Sequence, residues 1–281
     1  MREPKKIYAS ILYHTLILVL GIAMFYPVLW LIASSFKGEG AIFTKAYSLI
    51  PDKMLLENYK IGWKGFGGVN FGIFFKNSFI ITILSTFGQV FTSALVAFGF
   101  ARIKFRGKKI LFAIMISTML LPTQVIMIPR YILFSSIGWI NSFKPLILPA
   151  FFSQPFFVFL IHQFIQGIPK ELDEAATIDG CSINDIFLRI MLPNIKPALI
   201  TSFIFSFYWT WQDFFGPLLY IQSINKYPVS LALKLFSDPA TVTNWGAMFA
   251  MSALSLAPVF VIFIIFQRYL VEGISTTGMK G

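Results

Sequence analysis

The chain has 281 residues, of which 57% are hydrophobic and 12% charged, with a mean hydropathy of +0.74 and a formal net charge of +11. A soluble domain of this composition would expose a large apolar surface, so the numbers exclude one and indicate a multi-spanning membrane protein. The positive excess fits Lys and Arg in membrane-flanking loops rather than a nucleic-acid surface, and a single cysteine, Cys181, excludes an internal disulfide framework.

In chain order, Met1 to Lys6 is a short basic head followed by a run without Lys, Arg, Asp or Glu. About 20 apolar residues cross the hydrocarbon core, and a cleavable signal needs far fewer. A first membrane helix is therefore predicted over residues 9–36, kinked at Pro27, with His14 as a packing residue rather than a metal ligand. Residues 37–76, with Gly65, Gly67, Gly68 and Gly72, read as an external loop carrying a surface helix. The second span, 77–101, is charge-free, and its Ser, Thr, Gly and Ala let neighbouring helices approach closely. The run RIKFRGKK from Arg102 to Lys109 has five basic residues in eight, which places that short loop and the N-terminus in the cytoplasm.

The third span is predicted over 110–130, with Pro122 and Pro129 in its outer half, and an external turn follows from Ser135 to Lys144. The fourth, 145–168, contains His162 and Gln163 as interior polar residues. The fifth covers 198–221 and the sixth 245–267, joined by an external loop from Gln222 to Asn244 that contains Pro228 and Pro239, and Arg268 to Gly281 is a cytoplasmic tail. No fixed-period repeat or linker divides the chain, so residues 1–281 read as one all-α domain of six membrane helices.

Residues 169–197 break the pattern with a polar insert of two short helices, which charge counting places in the cytoplasm. Pro169 suits a first helical position, and Glu171, Asp173 and Glu174 then complement the helix dipole. Gly180 ends this helix in a left-handed cap, and Ser182 with Asp185 predicts a variant capping box on the next. There Ile183, Ile186, Phe187, Ile190 and Met191 form an apolar stripe before Pro193 stops the helix. A helix-turn-helix DNA reader fits poorly, because five acidic residues face only Lys170, Arg189 and Lys196. A surface-lying hairpin would carry a Lys/Arg-rich polar face, which leaves a docking device as the favoured reading.

Glu174-Ala175-Ala176, Asp179-Gly180, Phe187, Leu192-Pro193 and Pro197 resemble the EAA loop of ABC importer permeases. Asn77-Ser78, Pro122 with Gln124 and Pro129, Trp211 to Phe214 with Pro217, and the stretch from Gln267 to Lys280-Gly281 extend the likeness to the carbohydrate-uptake subgroup. They are similar to the shorter permease subunit of maltose-type importers, although Trp211-Gln212-Asp213 stands where that subgroup commonly has Trp-Asn-Asp or Trp-Asn-Glu. The resemblance implies a type I fold in a bacterial cell membrane with both termini cytoplasmic. It also implies a second permease subunit, two ATPase subunits, an extracytoplasmic solute-binding protein and a sugar or oligosaccharide as substrate. Glu174 would pair with a basic group of the ATPase, Ala175 and Ala176 would allow close approach, Gly180 would make the turn, and Asp179, Phe187 and Pro193 would complete the coupling set.

The residues suggest no catalytic constellation. Gly107-Lys108 lacks the glycine five positions earlier that a phosphate loop needs, so ATP and its magnesium would be bound by the partner ATPase, and no cofactor or metal is expected here. Asp213 is the only acidic residue within a predicted span. Ionisable residues in spans mark pathways, so Trp209, Trp211, Gln212 and Asp213 are the substrate-path candidates, with a helix-helix hydrogen bond and an interfacial anchor as the structural alternatives. A phosphorylated polyol or other non-sugar solute is the alternative substrate. A proton-coupled secondary transporter is the alternative class, weakened by the lack of a second intramembrane carboxylate and of inverted repeats.

Overall fold

The computed structural model describes residues 4–236 and 244–278. Pro239 of the second external loop and the Lys280-Gly281 ending lie outside the described residues. The described residues form helices with no strand beyond one isolated bridge, Phe66 to Val69. Four helical segments are long and apolar enough to cross a membrane: Ser10–Ser35, Phe71–Arg102, Lys144–Gln166 and Trp245–Tyr269. Two bent pairs, Lys108–Leu120 with Thr123–Ser136 and Ile183–Asn194 with Lys196–Trp211, bring the number to six if each pair is one span.

Two compact units make up the chain, the first being Met1–Phe71 with Leu233–Ala257. It contains α1 (Pro4–Ser35), α2 (Glu39–Thr44) and α3 (Glu57–Lys64), with Pro27 inside an α1 that continues past it. The predicted external loop is ordered by polar side chains that satisfy the backbone at the end of α1. Asn58 Nδ2 donates to the carbonyls of Ser35 and Lys37, each at 2.9 Å. The Lys37 ammonium, 2% exposed, donates in turn to the carbonyls of Lys45 and Ser48. A buried cation is tolerated here because those carbonyls replace its water.

The second unit is Gly72–Ala232 with Pro258–Gly281. Its long element is α4 (Phe71–Arg102), which starts six residues before the predicted Asn77, that is at Phe71, and contains no proline. One face is small: Ser78, Thr82, Ser85, Ser93, Ala94, Ala97 and Ala101 are all buried. There α4 meets α7 (Lys144–Ile147), with Ser85 Oγ donating to the Leu146 carbonyl at 3.1 Å. Close approach through small residues is therefore found where the sequence placed it.

The third, fourth and fifth predicted spans each contain a break. α5 (Lys108–Ser117) passes into a 3-10 turn, the chain extends at Leu121 and Pro122, and α6 (Thr123–Ser136) leaves at 99°. The residue before a proline is pushed out of helical conformation, and proline cannot donate to the ladder. α6 also continues to Ser136, beyond the predicted end at Arg130. The fourth segment runs through a 3-10 stretch, Leu148–Phe152, breaks at Ser153 with φ +67°, and resumes as α8 (Pro155–Gln166).

Next come the insert helices α9 (Glu171–Ile178) and α10 (Ile183–Asp185), a π-helical turn Ile186–Met191, and α11 (Leu192–Asn194). The fifth segment divides into α12 (Lys196–Trp211) and α13 (Phe215–Tyr220), separated by three residues, 212 to 214. α14 (Val229–Phe236) and α15 (Trp245–Gly278) complete the order, α15 passing the predicted end at Gln267.

Candidate functional site

Two places in the second unit gather the residues singled out by the sequence. The first is the insert. Pro169 lies outside α9, whose first turn carries Glu171, Asp173 and Glu174. The helix ends as expected at Gly180, φ +80°: the Cys181 N–H donates to the Ala176 carbonyl at 2.9 Å and the Gly180 N–H to the Thr177 carbonyl at 3.1 Å. This pair of bonds is the Schellman arrangement, which needs a left-handed residue at that point.

The expected capping box follows. Asp185 N–H donates to Ser182 Oγ at 3.2 Å, and the Ser182 N–H donates to Asp185 Oδ2 at 3.2 Å. The Ser182 hydroxyl also donates to that carboxylate at 2.5 Å, and this bond is the main cause holding the Asp185 carboxyl below its ordinary range.

Beyond the cap the stripe is buried in part. Ile186, Phe187 and Met191 join Ala176 in a cluster with Ala97, Phe98 and Ala101 of α4 and with Val158, Ile161 and Ile165 of α8. The Phe187 and Phe98 rings lie 5.2 Å apart. Ile183 is 53% exposed, contrary to expectation; it is the first helical residue after the Ser182 cap. Nor does Pro193 stop the helix, which runs to Asn194. The change of register makes Leu192–Asn194 a new first turn, where a missing N–H is tolerated. Asn194 Nδ2 then donates to the Ile190 carbonyl at 2.7 Å.

The sequence candidates divide accordingly. Glu174, Ala175, Asp179 and Gly180 are exposed on the outer side of the insert, and Ile178 there is 86% exposed. Ala176 and Phe187 are buried beneath it and hold it to α4 and α8.

The second place is a cleft of about 790 Å³, lined where all three broken segments break: at Leu121 and Thr123, at Ser153 and Gln154, and at Asp213 and Gly216. Unpaired backbone at membrane depth is tolerable where it lines a polar cavity. Unbroken α4 adds Ser85 and Gln89. Gln89 Nε2 donates to Gln154 Oε1 at 2.6 Å, Ser206 Oγ donates to Gln89 Oε1 at 2.7 Å, and the Gln154 N–H donates to Ser93 Oγ at 3.0 Å.

Asp213 and Trp209 line this cleft, while Trp211 and Gln212 do not. Asp213 Oδ1 accepts the Gly216 N–H at 3.1 Å, which supplies a partner at the start of α13, and its carbonyl accepts Ser230 Oγ at 2.6 Å. Trp209 is 39% exposed beside Phe156 and Phe157. Trp211 is 6% exposed, stacked on Phe207 at 5.7 Å and against Phe79 at 4.9 Å. Gln212 is exposed.

Sequence reasoning missed Gln89, Arg130 and Gln154 as lining residues. Their polarity within apolar segments was the available signal. It also missed Asn141, φ +58°, whose Oδ1 accepts the N–H groups of Gln222 and Ser223 and whose carbonyl accepts Lys226 Nζ at 2.6 Å. Nearby, Asn77 Nδ2 donates to the carbonyls of Asn225 and Tyr227, and Ser78 Oγ accepts the Val229 N–H. Among the described residues no three His, Cys, Asp or Glu side chains gather where they could hold a metal ion.

Residues 89–276 match the family described as binding-protein-dependent transport system inner membrane component. The chain is 37% identical over 263 residues to the probable ABC transporter permease protein YurM of Bacillus subtilis (strain 168), covering 92% of this chain and 85% of that protein. It is 30% identical to the arabinooligosaccharides transport system permease protein AraQ of the same organism, covering 94% of this chain and 93% of AraQ. It is 32% identical to the sn-glycerol-3-phosphate transport system permease protein UgpE of Salmonella typhi, covering 94% and 95%. Its fold is similar, with a TM-score of 0.79 and 20% identity over 96% of this chain and 99% of the other, to a chain in a bacterial ABC transporter involved in the import of the acidic polysaccharide alginate. An all-α membrane chain with a clamped polar insert, a cleft at its helix breaks and a family match over most of its length belongs to the binding-protein-dependent transport system inner membrane components, and is a multi-pass permease subunit.

Proposed function

We propose that residues 1–281 form one permease domain that supplies half of the translocation pathway for a sugar or oligosaccharide. It works with a second permease subunit, two ATPases that bind ATP and magnesium, and an extracytoplasmic solute-binding protein. The termini and the segment 169–197 face the cytoplasm of a bacterial cell, consistent with the basic run from Arg102 to Lys109. ATP-driven closure of the ATPases displaces the segment and opens the cleft outward, and hydrolysis returns it inward. Coupling of this kind requires a contact whose geometry differs between two states.

The observation that carries this proposal is the two-sided build of the insert: Ala176 and Phe187 are fixed in the permease while Glu174, Ala175 and Asp179 stand exposed. Glu174 pairs with a basic group of the ATPase, and Ala175, Asp179 and Gly180 shape the surface around it, with Pro193 in the turn that leads into α12. Within the cleft, Trp209 stacks on the apolar face of a sugar ring and Asp213 meets its hydroxyls. Trp211 supports that wall from behind, and Gln212 keeps no assigned contact.

Purification from mild-detergent membranes with crosslinking through Cys181, which is partly exposed beside Gly180, tests the assembly. An ATPase captured at Cys181 together with a second permease is expected. A chain that purifies only with itself while transport persists would overturn the importer and reopen a proton route through Asp213.

Arg130 in the cleft lining and the likeness to UgpE favour a second reading, in which the solute is a phosphorylated polyol. Competition of uptake by neutral oligosaccharide and by glycerol phosphate separates the two substrates.

A further inference from the structure

The clearest charge pair in the second unit belongs neither to the exposed side of the insert nor to the cleft lining. Arg102 Nε and Asp173 Oδ2 are 2.5 Å apart, with side chains 7% and 18% exposed. Arg102 Nη2 also donates to the Ile168 carbonyl at 2.8 Å. One guanidinium at the end of α4 thus holds both the carbonyl just before the insert and the carboxylate in the first turn of α9. Read by sequence, Asp173 only complements a helix dipole; in the fold it is a partner to a buried cation. Removing one member of such a pair leaves an uncompensated buried charge.

The other end of α4 makes this contact consequential. α4 is the one cleft-lining element without a break, since the other three are interrupted at Pro122, at Ser153 and after Trp211. Gln89 and Arg102 are thirteen residues apart in it, 102 minus 89, or about 20 Å at 1.5 Å per residue. Below Gln89, Ala97, Phe98 and Ala101 pack on Ala176 and Phe187 of the insert. We propose that Arg102 is a positioning residue that clamps α9 to α4, so that α4 carries displacement of the insert to the cleft while the broken segments bend. This rests on the coupling role given to the insert above.

The experiment uses the assembled importer in proteoliposomes, with Gln89→Cys, half-buried in the cleft lining, as the reporter on α4 in a Cys181→Ser background. N-ethylmaleimide labelling is compared with and without Mg·ATP, so no transported solute needs to be known. Nucleotide is expected to change the labelling rate, and Arg102→Gln or Asp173→Asn to reduce that change about tenfold, within the range usual for coupling between sites. The swap Arg102→Asp with Asp173→Arg restores it, which a merely structural loss would not predict. If the single variants fail to accumulate, Arg102→Lys decides: it keeps the charge but not the two-armed geometry, and an intermediate response supports the clamp. A wild-type response in Arg102→Gln or Arg102→Lys, or a swap that restores nothing, overturns it. Loss of the ATPase from the unmutated complex would instead count against the coupling role itself.

Discussion

Gly216 donates its N–H to the Asp213 carboxylate across 3.1 Å, and a Cβ at Gly216 would collide with that same carboxylate and come within 3.0 Å of Leu146. The two residues therefore depend on each other: the acid needs the glycine's empty face, and the start of α13 needs the acid's oxygen. Gly216→Ala is expected to reduce assembled protein, and Asp213→Ala likewise. Asp213→Asn retains an acceptor oxygen and should assemble normally. Its uptake with raised apparent KM would place Asp213 on the path, whereas unchanged KM and rate would reduce it to a cap.

Trp209 and Trp211 separate in the same way. Trp211→Ala empties a buried stack against Phe207 and Phe79, so lower thermal stability of the purified complex is expected. Trp209→Ala acts on the cleft wall, so stability should stay near wild type while transport affinity falls. The opposite pattern in melting and uptake would exchange their roles.

Phe187 and Glu174 test the two sides of the insert. Phe187 is 4% exposed, and Phe187→Ala should cost about 3–5 kcal/mol as a large cavity beneath the segment, seen as faster hydrogen exchange over 183–194. Glu174→Ala or Glu174→Lys should leave exchange unchanged and abolish stimulated ATP hydrolysis. Retained stimulation in the Glu174 variants would remove that residue from coupling.

Gly88 of α4 has no space for a side chain, since its Cβ would lie 2.6 Å from the Phe151 ring. Gly88→Leu should destabilise by about 1–3 kcal/mol through overpacking. Adding Phe151→Ala should recover part of that loss in the melting temperature of the purified subunit, and no recovery would place the strain elsewhere.

The Asp185 cap has a defined pH window. Its carboxyl is held below the ordinary range, first by the Ser182 hydroxyl and then by the Ser182 N–H. A depressed pKa in the fold contributes stability that is complete above the unfolded value, about 3.9, and is lost as pH falls through the folded value. Protection of amides 182–186 should therefore be flat from pH 8 to 5 and fall only in stronger acid. Ser182→Ala should lower it throughout, and a loss already at pH 6 would contradict this assignment.

Much of this was legible in the residues. Apolar runs and a basic loop after Ala101 were enough to indicate a multi-spanning membrane protein with a polar insert, because lipid thickness, loop charge and helix caps act locally along the chain; that it is a permease came from the resemblance of Glu174 to Pro197 to the EAA loop. Gly180 and Ser182 took their expected conformations for the same reason: a left-handed turn and a capping box are settled within a few residues. What tertiary structure alone decided was which residues meet. Pro122 signalled a break but not its angle, Ile183 stayed exposed beside the cap, and Trp211 turned inward while Trp209 reached the cleft. The Arg102–Asp173 clamp, the Gln89–Gln154 bridge and the Asn141 hub each join positions 60 or more residues apart, 71, 65 and 82 by subtraction for Asp173, Gln154 and Ser223. No local periodicity records such pairings, because they follow from how the helices pack against one another.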